Sequence, residues 1–399
     1  MRKIQLLLLG FAAAAPSSAC TAGPRVTLPA SYEVLLSRVQ VDSTDPVAHY
    51  HAALAYWSRR RWHDVERELT RALAIEPQYG EAYMALAFLP HARLDELAKE
   101  ERRTGDPNVI RNAMARGEQM YRRAVLIDPF VEHQIVSAVG LEPATPVTVE
   151  TGGYTFFIMA RGPFQVAVDH FYKGEYDQAF RDLTHLLAAH ANEPHKIGDG
   201  VFWYRALAAV QLGNYGAALR DMQLLLERAT RREEHAGESS SFLQATEYRY
   251  VLGCLEYRAG RLNFAMDLLQ EAVRFDPSLY MAHVRLADIH EHHQRWLDAL
   301  DARRAALSLA PDNTSLRRDL ALTLYRAGQT EEAAAVLSAV TEQKPVHPLV
   351  WYYLGVALQD LEQSAEARRA FQRFLSIGPS RYAEHRADAE VRLSKLPLP

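Results

Sequence analysis

Cysteine is nearly absent from this chain. Its 399 residues include two, Cys20 and Cys254, which is too few for a disulfide framework. Long apolar runs are absent too. Beyond the N-terminus no stretch approaches the roughly 18 apolar residues that a membrane-spanning helix needs. Positive charge is not in excess: 45 Lys and Arg stand against 49 Asp and Glu, a formal charge of −4. That excludes general nucleic-acid binding, which needs a basic face for the phosphates. Motifs of catalysis are also missing. There is no G-x-x-x-x-G-K-[ST] phosphate loop, no G-x-S-x-G elbow, no H-E-x-x-H, no G-x-G-x-x-G after a strand and no C-x-x-C. The sequence therefore reads as non-enzymatic, with no cofactor.

The first 20 residues carry their own message. Met1-Arg2-Lys3 is a short positive region, and Ile4 to Ala15 is an apolar stretch of 12 residues. Small residues then lead to Cys20. This pattern is a secretory signal peptide over residues 1–19. Ser17-Ser18-Ala19-Cys20 resembles a bacterial lipobox, with Ser17 where leucine is usual. That resemblance implies lipidation of Cys20 and attachment to a membrane surface through buried acyl chains. Ser17 and Ala19 equally suit ordinary signal peptidase. Thr21 in place of aspartate is similar to the outer-membrane sorting signal. The localisation expected is thus an outer-membrane lipoprotein, or a periplasmic protein if Cys20 is not acylated. Cys254 lies inside a helical pattern and reads as a small buried residue.

What the chain does have is a repeat. Pro277, Pro311, Pro345 and Pro379 are each 34 residues apart, as are Ala265, Ala299, Ala333 and Ala367, and Leu252, Leu286, Leu320 and Leu354. The residue after each leucine is tiny: Gly253, Ala287, Ala321, Gly355. Leucine on a first helix fills the space against the second, and the tiny neighbour lets the backbones close in. Proline ends the second helix. Gly260 and Gly328 stand at the turn within a pair, where positive φ is useful. Gln294 and Glu362 replace glycine there, so those turns are expected to be less typical.

Trp351, Leu354, Gly355, Ala367, Phe371 and Pro379 resemble the tetratricopeptide repeat, whose pattern is W-x2-L-G-x2-Y, A-x3-F, P. The resemblance implies an all-α solenoid of about eight helix pairs. The expected layout has a tether or lead-in at 20–45 and N-terminal repeats at 46–129, with a charged insert at 91–107. A non-repeat insert at 130–162 follows, then looser repeats at 163–242, a regular array at 243–379 and a capping helix at 380–396. Residues 229–242 read as an exposed loop. In the non-repeat insert, Val147–Glu150, Gly152-Gly153 and Tyr154–Phe157 read either as a β-hairpin or as an irregular connector.

The resemblance also implies function. Such repeats hold a partner's peptide or helix on the concave face lined by their first helices. Family geometry places Tyr250, Tyr257, Arg258, Asp288, Glu291, Arg318, Tyr325, Arg326 and Tyr352 on that face. A groove of tyrosine and arginine suits a segment with acidic and apolar side chains, although the same tyrosines could pack on neighbouring repeats. The protein is expected to be an envelope scaffold or assembly factor with protein partners. The alternative is a ligand-capture lipoprotein, for example a glycan binder, that uses the 130–162 insert. His290 and His293 are the weak metal candidates, on a helix end where polar side chains are common.

Overall fold

The structure is a computed structural model. It describes residues 32–41, 43–132, 148–151, 154–157, 162–192, 197–236, 243–343 and 345–397. The signal peptide and Cys20 lie outside these residues. Among the described residues no helix is long and apolar enough to cross a membrane.

Among the described residues eight helix pairs stack in order. A lead helix α1 (Tyr32–Val41) precedes α2 (Pro46–Ser58) and α3 (Trp62–Ile75). Then come α4 (Gly80–Ala92), α5 (Leu94–Thr104) and α6 (Val109–Ile127), with α4 and α6 forming the pair. Strands β1 (Thr148–Thr151) and β2 (Tyr154–Phe157) pair antiparallel, with Thr148 opposite Phe157 and Thr151 opposite Tyr154. The next pairs are α7 (Pro163–Tyr172) with α8 (Tyr176–Ala189), and α9 (Asp199–Gln211) with α10 (Tyr215–Ala236). The regular array consists of α11 (Ala245–Arg258), α12 (Leu262–Phe275), α13 (Tyr280–His292), α14 (Trp296–Leu309), α15 (Thr314–Arg326), α16 (Thr330–Thr341), α17 (Pro348–Asp360) and α18 (Ser364–Ile377). A closing helix α19 (Ala383–Lys395) covers the end of the stack and buries Ala389.

The ladders explain why these segments pair. Ala265, Ala299, Ala333 and Ala367 are all fully buried, and the four ladder leucines are nearly so. A β-carbon on Gly355 would lie 2.7 Å from the ring of Phe371. The close approach therefore needs glycine there. Helix starts are capped locally: Asp45 accepts from the Val47 amide with Pro46 in the first turn, and Asn313 accepts from Ser315 and Leu316.

Two expectations need correction. The turns at Gln294 and Glu362 are not atypical. Gln294 has φ +56° and Glu362 +60°, against +76° at Gly260 and +81° at Gly328. The hydrogen bonds match as well. Arg261 donates to the Glu256 carbonyl at 2.9 Å, Arg295 to His290 at 2.8 Å, Gln329 to Leu324 at 2.9 Å and Gln363 to Leu358 at 2.9 Å. Helix packing dictates the turn, and a side chain is forced into the left-handed region. The second correction concerns residues 229–236, which continue α10 as helix. Ala229 is buried there, and Arg228 and Arg232 both pair with Asp199 on α9. The charged segment at 91–107 is helical over Leu94–Thr104, anchored by buried Leu97 and ended by Gly105 at φ +70°.

The start of the non-repeat segment is core. Phe130, Val131 and Glu132 are buried. The Glu132 carboxylate accepts from the hydroxyls of Tyr121 (2.6 Å), Tyr204 (2.7 Å) and Tyr172 (3.0 Å). A buried carboxylate needs such donors, and these three tie α6, α7 and α9 together.

Candidate interaction site

The inner face of the regular array is covered in part by the chain itself. Turns between the N-terminal helices lie against first helices of the array and, at its end, against Ile377 and Arg381. Thr44 donates from Oγ to the Ile377 carbonyl at 3.0 Å, and Asp45 pairs with Arg381 at 2.9 Å. Glu76 meets Arg318 at 2.6 Å and also accepts from the Ser315 hydroxyl. Arg285 donates to the Ile127 carbonyl at 2.8 Å, and the Tyr250 hydroxyl donates to the Leu126 carbonyl. The solenoid thereby closes on its own N-terminal repeats.

This closure sorts the nine groove residues. Tyr250 is fully buried beneath Leu126, and Arg318 is engaged by Glu76. The Arg258 guanidinium sits 5.3 Å from the ring centre of Phe130, and the neighbouring Tyr257 is partly buried. Asp288 and Glu291 belong to a ladder of alternating charge. Arg285 binds Asp288 at 3.1 Å, Arg303 binds Asp288 at 2.7 Å and Glu291 at 2.8 Å, and Arg326 closes on Glu291. Burial raises the Glu291 carboxyl pKa, but Arg303 and Arg326 outweigh it and the net shift is down. Tyr352 turns toward the closing helix and donates to Asp388 at 2.7 Å.

Tyr325 and Arg326 remain accessible. They line a pocket of about 530 Å³ together with Trp296, Leu322, Thr330, Leu337, Tyr353, Val356, Ala357 and Asp360. The Tyr325 hydroxyl donates to Asp360 at its edge. The pocket occupies the C-terminal halves of α15 and α17. Their N-terminal halves carry Ser315, Arg318 and, in its cap, His347, which face Glu76. His293 is exposed and His290 partly so. Burial lowers the His290 pKa, and among the described residues no group of three or more potential ligands is gathered for a metal ion.

The sequence reading missed Asp45, Glu76, Arg285 and Glu132. The only signal for the first two was an acidic residue directly before proline.

A stack of helix pairs with a pocket on its inner face is the architecture of a protein–protein interaction scaffold. Residues 250–314 and 318–382 match the tetratricopeptide repeat family model, and the chain carries tetratricopeptide repeats there. Protein FlbA of Caulobacter vibrioides is 25% identical over 236 residues, covering 55% of this chain and 35% of that protein. This chain thus spans about a third of that relative's length. Similar solved structures include the C-terminal part of a TPR repeat-containing protein from Cytophaga hutchinsonii. It shares 15% identity, with 57% of this chain and 84% of that one covered and a TM-score of 0.46. A thermophilic TPR protein of Thermus thermophilus shares 21% identity over 49% and 97% of the two chains, with a TM-score of 0.32.

Proposed function

We propose that this protein is an exported, non-enzymatic scaffold of the bacterial cell envelope, held at the outer membrane through Cys20, that binds a protein partner at the Tyr325–Arg326 pocket. The observation that carries the binding reading is the pocket itself. Among the described residues it lies on the inner face beyond the N-terminal turns, and it is walled by three aromatic residues. Tyrosine, tryptophan and arginine are the residue types that dominate binding hot spots. The anchoring half of the reading rests on the signal-peptide and lipobox-like residues 1–20.

The test is affinity capture from membranes with the full chain, with Cys20→Ser, and with Tyr325→Ala plus Arg326→Ala. The expected result is a defined partner, lost at least about tenfold in the pocket variant while the circular dichroism spectrum is unchanged. Cys20→Ser is expected to release the protein from the membrane fraction and leave partner binding intact. Equal capture by the pocket variant would refute the site, and membrane retention of Cys20→Ser would refute the anchor.

A further inference from the structure

Three N-terminal turns face the array, and each has an acidic residue directly before proline: Asp45-Pro46, Glu76-Pro77 and Asp128-Pro129. Two of the three carboxylates pair with arginine. Arg381 pairs with Asp45 at 2.9 Å and Arg318 with Glu76 at 2.6 Å. The Asp128 carboxylate instead accepts from its own Phe130 amide at 2.9 Å, and at that turn Arg285 donates to the Ile127 carbonyl at 2.8 Å. The three contacts run in reverse order along the array, so arginines of the array meet three acid–proline turns, two through the carboxylate and one through the backbone carbonyl of Ile127. The dipeptide alone does not dictate this. Asp276-Pro277 lies within the array, and its carboxylate folds back on Ser278, 2.6 Å from Oγ. What distinguishes the three turns is that the array presents an arginine to each, Arg318 and Arg285 from first helices and Arg381 from the turn after the last pair. Closure also places the Glu76 turn on the same two helices as the open pocket, so a segment seated in the pocket abuts that turn.

We infer that the inner face is a receptor for acid–proline turns, that the N-terminal repeats are its resident occupant, and that a partner segment with an acidic residue before proline binds by displacing them. The inference rests on the protein-binding reading above but not on the lipid anchor. Carboxylate–guanidinium pairing supplies the specificity. The tether keeps the resident turns at high effective concentration, so displacement requires a partner that adds contacts in the pocket.

The experiment uses the full chain with Cys20→Ser and fluorophores at Lys99→Cys and Ser338→Cys, both exposed positions. A synthetic peptide of residues 70–81 is titrated in, alongside the same peptide with Glu76→Ala. The expected result is a saturable loss of energy transfer with the native peptide and at least tenfold weaker response to the alanine peptide. Asp45→Ala with Arg381→Ala, at the more exposed end of the closure, should bind the native peptide at least tenfold tighter. Should that variant unfold, the titration of the labelled chain decides alone. No response to the native peptide overturns the receptor chemistry. Equal affinity for the closed chain and the Asp45/Arg381 variant overturns displacement. Peptide-driven dimers in light scattering would make a second copy the occupant and overturn the partner assignment. If Tyr325→Ala with Arg326→Ala abolishes partner capture while the peptide still opens the chain, the two readings separate cleanly.

Discussion

The Glu76–Arg318 contact offers the sharpest test of closure. Burial by itself raises the Glu76 carboxyl pKa. The Arg318 charge, then His347, and the bonds from Arg318 and Ser315 reverse that and hold it at about 2, against an ordinary 4.5. The difference corresponds to about 3 kcal/mol of folded-state preference for the carboxylate. The folded pKa is depressed, so this stability is fully present above about pH 4.5 and is lost as pH falls toward 2. Replacing Arg318 with Met keeps the aliphatic stem and removes the charge. The expected cost at pH 7 is about 3 kcal/mol, the size seen when one member of a buried pair is removed. The variant should regain part of it at pH 5, because burial then favours the protonated acid. Urea unfolding at pH 7, 5 and 3 measures this, and hydrogen exchange over Tyr79–Leu89 reports whether the N-terminal repeats loosen first. Adding Glu76→Gln gives the coupling energy. A cost below about 1 kcal/mol for Arg318→Met, or an acid limb that Glu76→Gln leaves unchanged, would refute the reasoning.

Other expectations follow from backbone and packing. Gln294→Gly and Glu362→Gly remove a side chain from the left-handed region at φ +56° and +60°. Each should stabilise the array by about 0.5–1 kcal/mol, net of glycine's entropy in the unfolded chain, read as a rise in urea midpoint. A stability loss in both would contradict the turn geometry. Gly355→Ala places a β-carbon 2.7 Å from the buried Phe371 ring and should cost about 1–3 kcal/mol. Phe371→Leu in the same chain should recover part of that loss, because the preceding repeat pairs Ala321 with Leu337. No recovery would mean that the clash is not with the ring.

The repeat was legible because it is local. Leucine, a tiny neighbour, alanine and proline at a step of 34 specify helix, close contact, helix and stop within one unit. The leucines and alanines are buried as their spacing implies, while Pro277, Pro311 and Pro345 are exposed at their turns. The glycine turns were legible for the same reason. Gln294 and Glu362 misled, since packing of the pair can hold a side chain at positive φ where the isolated turn would not.

The partner face was legible only as a list of positions. Arg318 and Tyr250 occupy the inner positions of their helices, and nothing within one repeat separates an inner residue that meets a partner from one that meets the chain's own distant turn. Arg318 and Glu76 are 242 residues apart. Whether they meet depends on the small rotation added at every repeat and summed around the solenoid. The sequence by itself determined the class of fold and the repeat unit, because both are written in local spacing. Only the tertiary structure decided that the chain's own N-terminal turns meet Tyr250, Arg285 and Arg318 on the inner face, and that Tyr325 and Arg326 line a pocket beside them.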